Sequence, residues 1–177
     1  ADAKAVTKRN VSALGMAAYW GDAAMVRLLL EKGAPVNLVD ADGYTPLKFA
    51  AYSEFAGADV VSMLLAHDVL SNAKVSAVTV RTPLGPAKAM KLSQQIVFVA
   101  SLRAGLGLLD GLIKLHPDAK LAHIGIYRDE TTLKPVNYYV RLPGNLKNSL
   151  VVVADPMLAT GGSAVEAMDV LKARGAK

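Results

Sequence analysis

A repeat with a period of 33 residues constrains this chain more than any other feature. Ser12-Ala13-Leu14-Gly15-Met16-Ala17-Ala18 returns as Thr45-Pro46-Leu47-Lys48-Phe49-Ala50-Ala51. Val26-Arg27-Leu28-Leu29-Leu30 returns as Val61-Ser62-Met63-Leu64-Leu65 after two additional residues. Self-similarity at such a period marks a repeat architecture in which each unit buries its apolar face on a neighbour. Each copy reads as two short helices. Ser12 and Thr45 are placed to cap the first helix, and Pro46 suits its first turn. Val26, Leu29 and Leu30 predict one buried face on the second helix, which Gly33 ends. Asp40-Ala41-Asp42-Gly43 predicts the turn between copies.

Residues 8–69 resemble ankyrin repeats. The runs Asp40-Ala41-Asp42-Gly43-Tyr44-Thr45-Pro46-Leu47 and Val26-Arg27-Leu28-Leu29-Leu30-Glu31-Lys32-Gly33-Ala34-Pro35-Val36-Asn37 carry the likeness. Gly15 and Lys48 stand where that family prefers histidine. The first copy lacks the Gly and Pro of the turn, and the second carries an insertion around Ser53–Ala58. The resemblance implies a protein-binding scaffold with no chemistry of its own, equally readable as a helical packing module without a partner.

The grammar changes near residue 70. Lys74 to Thr82 alternates around Val75, Val78 and Val80, a strand pattern that Pro83, Gly85 and Pro86 end. Thr82 to Ala89 can also be read as the opening of a third, decayed repeat. Beyond residue 95 strands and helices alternate. Gln95–Ala100, Leu121–Tyr127 and Leu150–Ala154 read as strands, the last with three valines as if buried on both faces. Leu106, Leu109 and Leu112 line a helix within Gly105–Leu115. Ala164, Met168 and Leu171 line another, which Gly175 ends. Such alternation implies a mainly parallel sheet covered by helices. The expected organisation is therefore an all-α repeat segment over 1–70 and an α/β segment over 71–177.

Parallel sheets bind ligands beyond the carboxyl ends of their strands. Strand Leu150–Ala154 delivers Asp155 to that edge, and the chain continues Pro156-Met157-Leu158-Ala159-Thr160-Gly161-Gly162-Ser163 into a helix. Gly161 and Gly162 let the backbone approach an anion, and N–H groups at a helix start attract one. Thr160 and Ser163 add hydroxyl groups, and Asp155 can accept from ribose hydroxyls. Arg103 and Arg128 follow two other strands at the equivalent edge, where arginine suits bidentate phosphate binding.

The runs Leu102-Arg103-Ala104-Gly105-Leu106-Gly107, His123 to Glu130, Thr132-Leu133-Lys134-Pro135-Val136 and Asp155 to Ala164 closely resemble uracil phosphoribosyltransferase over residues 78–177. The resemblance implies a phosphoribosyltransferase-type sheet and transfer of phosphoribose from phosphoribosyl pyrophosphate to uracil, giving UMP and pyrophosphate with Mg2+ present. It assigns Asp155, Pro156, Met157, Leu158, Ala159, Thr160, Gly161, Gly162 and Ser163 to the ribose 5-phosphate end, and Arg103 and Arg128 to the pyrophosphate. It names no catalytic nucleophile, general base or protein metal ligand, and His123 is expected to be structural. It also implies a homodimer formed through a hairpin near Val78–Pro86. Ala100-Ser101 replaces the family's usual Pro-Ile before Leu-Arg-Ala-Gly. The further strand and C-terminal segment that recognise uracil in the family are read as missing from this sequence, so the sheet is expected to be incomplete. Three alternatives stay open: a transferase whose base site is completed elsewhere, an ankyrin-type binding module, and a constructed chimera without turnover.

Composition narrows the function classes. Residues 1–70 hold six Lys or Arg against eight Asp or Glu, a net of −2, whereas 71–177 hold fourteen against seven, a net of +7. A basic half suits a polyanionic small substrate or an ordinary solvated surface. There is no aromatic series of the kind that stacks nucleic-acid bases, and no apolar run of membrane-spanning length. The chain has no cysteine, which rules out disulfides and thiolate metal sites and fits the expected cytoplasmic setting.

Overall fold

The computed structural model describes residues 2–132 and 134–176; Leu133, in the Thr132–Val136 run, and Lys177 lie outside the described residues. The repeat half forms α1 (Ala13–Tyr19), α2 (Ala23–Glu31), α3 (Pro46–Tyr52) and α4 (Ala58–Leu70). Both predicted caps form: the Gly15 N–H donates to Ser12 Oγ at 3.0 Å and the Lys48 N–H to Thr45 Oγ1 at 3.2 Å. The 33-residue translation extends into the turns. Thr7 N–H donates to Val11 C=O and Asn10 N–H to Thr7 C=O; one period later Asp40 N–H donates to Tyr44 C=O and Gly43 N–H to Asp40 C=O. The first copy has no glycine at this turn, yet Asn10 takes up φ 60° where Gly43 takes φ 78°. Asparagine tolerates this left-handed conformation better than most side chains. Val26 and Leu30 are buried as predicted, and Leu29 is half-buried.

The α/β half contains β1 (Val75–Thr82), β2 (Gly85–Leu92), β3 (Gln95–Leu102), α5 (Leu106–Leu115), β4 (Lys120–Arg128), β5 (Pro135–Arg141), β6 (Ser149–Ala154) and α6 (Gly162–Ala173). The stretch that could be read as a third repeat is instead an antiparallel hairpin. β1 pairs with β2 in continuous register from Val75↔Leu92 to Thr82↔Gly85. Thr82 Oγ1 donates to Gly85 C=O at 2.7 Å and closes the turn over Pro83 and Leu84. Pro83 would suit a helix's first turn, but Pro86, four residues after Thr82, lacks the N–H that such a helix would need there, so the chain turns instead.

The second sheet has the order β5-β4-β3-β6. β3 runs parallel to β4 and to β6, while β5 is antiparallel to β4. The sheet is thus mainly parallel, as expected, with one antiparallel strand, β5, for which the sequence predicts no element. β3 is the central, buried strand. Ile96, Phe98 and Ala100 face Leu109 and Leu112 of α5 with Ala66 and Leu70 of α4. Val97 and Val99 face Ala167 and Leu171 of α6. The valine run of β6 is half-buried, not buried on both faces. It pairs with β3 on one side only among the described residues, and an edge strand has half the cover of a central one. On α6 the buried residues are Ala167 and Leu171; Met168 is exposed.

Helix α4 belongs to both halves. Its Val60, Met63 and Leu64 pack into the repeat core with Leu14, Val26 and Leu30. Its Ala66 and Leu70 pack into the core over β3. α4 and α5 lie close, because Gly111 leaves no room for a side chain: a Cβ there would sit 2.4 Å from the Asp59 carbonyl oxygen. Lys114 Nζ on α5 donates to Asp59 Oδ2 on α4 at 3.0 Å, and this holds the Asp59 carboxyl below its ordinary pKa. Among the described residues, no helix is long and apolar enough to cross a membrane.

Candidate functional site

The parallel register sets three strand ends side by side. Ala100 of β3 is opposite Ala154 of β6, and Leu102 is opposite Gly125 of β4. Beyond Ala154 the chain enters the predicted loop. The Met157 N–H donates to Asp155 Oδ1 at 3.0 Å, so the aspartate folds its own loop back at the strand end. Gly161 has φ 79° and starts α6, which no side chain caps. The N–H groups of a helix's first turn have no partners within the helix, and here no side chain supplies one. The helix dipole adds to the attraction.

Arg128 reaches this loop from two strands away. β4 runs three residues past Gly125, the partner of the last β3 residue, and so projects beyond the sheet edge. Arg128 Nη2 donates to Thr160 Oγ1 at 3.2 Å. The two meet at a pocket of about 250 Å³ lined by Arg128, Pro135, Asp155, Met157–Ser163 and Ala164. Pro156 is exposed beside the lining, and Met157 and Leu158 are largely exposed on its rim.

Arg103 is exposed in the turn after β3 and does not line this pocket. That turn is held against the loop by Gly105. A Cβ at Gly105 would lie 2.2 Å from the Ala154 carbonyl oxygen and 2.7 Å from the Ser101 nitrogen. The two glycines therefore work differently. Gly105 is needed because its space is full. Gly161 is needed for its left-handed φ, and the space beside it is empty within 4 Å.

Pro135 and Ala164 also line the pocket and were not among the predicted site residues. Pro135 arrives because β4 and β5 form a hairpin in which Arg128 pairs with Pro135. The signal was present in Asp129. Its Oδ1 accepts the N–H groups of Thr131 and Thr132 and the Thr132 hydroxyl, a turn that folds the chain back. These bonds, the Thr132 N–H first, hold the exposed Asp129 carboxyl below its ordinary pKa. His123 lies within β4 and is half-buried, away from the pocket lining.

Comparison with known proteins agrees with both halves. The family model "Uracil phosphoribosyltransferase" matches residues 51–177, and the model "Ankyrin repeats (3 copies)" matches residues 1–76. The two overlap across α4, the helix that both cores share. The uracil phosphoribosyltransferase of Halalkalibacterium halodurans is 49% identical over 119 residues, covering 67% of this chain and 57% of that protein. That of Bacillus pumilus is 50% identical over 120 residues, with the same coverage. The chain thus spans a little over half the length of the curated relatives it matches. The solved structure of the AQ2163 protein from Aquifex aeolicus aligns with a TM-score of 0.60 at 29% identity, covering 97% of this chain and 70% of that one. With the matched model spanning more than two thirds of its length and the strand-end loop in place, the chain belongs to the uracil phosphoribosyltransferase family.

Proposed function

We propose that the pocket at the start of α6 binds phosphoribosyl pyrophosphate, and that the chain transfers its phosphoribose to uracil when a base site completes it. One observation carries the reading: Arg128, from the end of β4, meets the uncapped first turn of α6 at Thr160. Gly161, Gly162 and Ser163 offer backbone N–H groups to the 5-phosphate, with Thr160 and Ser163 hydroxyls beside them. Asp155 accepts from the ribose hydroxyls. Arg128, with Arg103 from the neighbouring turn, holds the pyrophosphate as it departs. No nucleophile is required. The transition state is oxocarbenium-like, so positioning and stabilisation of the leaving group supply the rate.

Among the described residues Asp155 is the one carboxylate lining the pocket, and its Oδ1 already accepts from Met157. One carboxylate does not build a resident magnesium site. Magnesium therefore belongs to this reading as part of the substrate, carried on diphosphate oxygens. We divide the chain into helical repeats over 1–70 and the phosphate-binding part over 71–177, with α4 as the common wall and the cytoplasm as its setting. The β1–β2 hairpin exposes Val75, Val80, Leu84 and Met90, which supports a homodimer through that arm.

Calorimetric titration with phosphoribosyl pyrophosphate and magnesium tests the central claim. Saturable binding is the expected result, and a uracil turnover assay then shows whether a base site is present. A folded chain that takes up no phosphoribosyl pyrophosphate overturns the reading. A second reading, protein binding through the repeat helices, is favoured by the exposed ring pair of Trp20 and Phe55 and by the exposed Tyr52. It is compatible with the first.

A further inference from the structure

Two pieces of the molecule meet at the pocket. The β4–β5 hairpin brings Arg128, and α6 brings its uncapped first turn. Arg128 reaches across on a long side chain, which by itself leaves the spacing of the two pieces free to vary. A second link lies further back along both. Asn137 Nδ2 on β5 donates to Glu166 Oε1 on α6. Among the described residues, no other side-chain hydrogen bond joins α6 to a strand of the sheet. Strand register puts Asn137 there. Tyr139 pairs with Gly125 but Asn137 pairs with Ile126, so Tyr138 is an extra residue on β5. Such a bulge re-aims the residues beside it. In unbroken pairing Asn137 would lie opposite Tyr127, and a slip of one residue carries a side chain to the other face of a sheet. Ile126 packs into the core under α6 with Ala167 and Leu171. Asn137 therefore shares the α6 face with Ile126, as do Arg128 and Pro135, the next pair on that face.

The bulge is held from the opposite face, where the Tyr138 ring covers Gly125. A Cβ at Gly125 would lie 2.5 Å from that ring. Glu166, the acceptor, follows Gly162 by one helical turn on the same side of α6, and Gly162 lines the pocket. A carboxylate this close to an anion site opposes anion binding by its charge. What it provides is a fixed end for the bond from Asn137. We propose that Asn137 and Glu166 are positioning residues. Their bond sets the first turn of α6 against the β4–β5 hairpin, so that Arg128 and the helix N–H groups converge on one ligand. The inference rests on the reading of that ligand as phosphoribosyl pyrophosphate.

Calorimetric titration of the full chain with phosphoribosyl pyrophosphate and magnesium separates position from charge. Asn137→Ala and Glu166→Ala should each weaken Kd about three- to tenfold, the effect of one charge-assisted bond, with circular dichroism unchanged. Charge alone predicts the reverse for Glu166→Ala, which removes a negative group, so tighter binding in that variant overturns the proposal. Glu166→Gln keeps an acceptor oxygen and should restore the affinity that Glu166→Ala loses. In an Arg128→Ala background neither alanine change should weaken binding further, because the pair acts through the placing of Arg128. Losses that add in full overturn the proposal as well. A ligand-free measurement keeps the two readings apart. The amide resonances of Thr160, Gly161 and Gly162 should shift in Glu166→Ala and return in Glu166→Gln. If the unaltered chain takes up no phosphoribosyl pyrophosphate while these resonances shift and return, the reading of the ligand falls and the clamp stands. Resonances that stay in place overturn the clamp, whether or not the ligand binds.

Discussion

The two halves of this protein reach order by different routes. In residues 2–70 each copy settles its own caps and turns, and the same bonds recur one period later. In the α/β half no single segment builds the pocket. Arg128, Pro135 and the Asp155–Ala164 run come from β4, β5 and the β6–α6 connection, and only the sheet register unites them. The lesson is that periodicity specifies a surface and non-local pairing specifies a site. Damage to one repeat element should therefore act as a small, transferable loss. Damage at the strand ends should act on binding all at once.

The largest effect is expected at Gly161. Gly161→Val places a β-branched side chain at φ 79°, at a cost of about 1–3 kcal/mol in strain, and fills the space kept open for an anion. Calorimetric titration should show no uptake of phosphoribosyl pyrophosphate, with the fold retained by circular dichroism. Undiminished affinity would mean that the loop is only a turn.

Arg128→Ala comes next. Loss of a charge-assisted contact of about 1.5–3 kcal/mol corresponds to a roughly ten- to hundredfold weaker Kd. If Arg128→Lys restores affinity fully, the planar fork is not what the site uses.

Gly105→Ala tests packing in place of chemistry. Its Cβ would collide with the Ala154 carbonyl, so overpacking should cost about 1–3 kcal/mol in urea denaturation. A neutral result would show that the turn after β3 is not pressed on β6.

In the repeat half, Ser12→Ala and Thr45→Ala should each lower stability by about 1 kcal/mol, and by similar amounts. A large inequality between them would break the claim that the copies are energetically equivalent.

The smallest effect is in pH, and it sharpens the link between the halves. Asp59, paired with Lys114, and Asp129, bonded by Thr132, both have depressed folded pKa values against an ordinary 3.8. Their contributions are full above that value and are lost as pH falls through it. His116, at the end of α5, is held below its ordinary 6.5 chiefly by burial, with His67 adding to this and Asp118 opposing it. A base stabler neutral in the fold contributes fully above 6.5 and loses that contribution as pH falls below it. The melting temperature should therefore drop on acidification in two stages, one below pH 6.5 and one below about pH 4. Lys114→Met should blunt the second. A profile that rises on acidification would contradict all three assignments.

Much of this was legible before the fold was seen. Ser12, Thr45, Pro46 and Gly43 announce their roles within a few residues, because capping and turn formation are local. The strand–Asp155–Gly161–helix order is equally local, and so was the sheet strand of each Arg. What stayed hidden depended on neighbours. The three valines of β6 look the same whether a strand lies on one side or two, so their half-burial could not be read. β5 escaped because its alternation is weak and its partner is β4 across a turn. Thr82–Ala89 could pass for a helix start until Leu92 paired with Val75.

The sequence by itself determined the repeat, its caps, the family and the strand–loop–helix order at Asp155, since each rests on interactions within a few residues or on an order of residue types shared with the family. Tertiary structure alone decided that Arg128 touches Thr160 while Arg103 stays outside the pocket, and that α4 serves two cores. Those facts depend on strand register and on which face each side chain finds covered, quantities fixed only when distant segments pack.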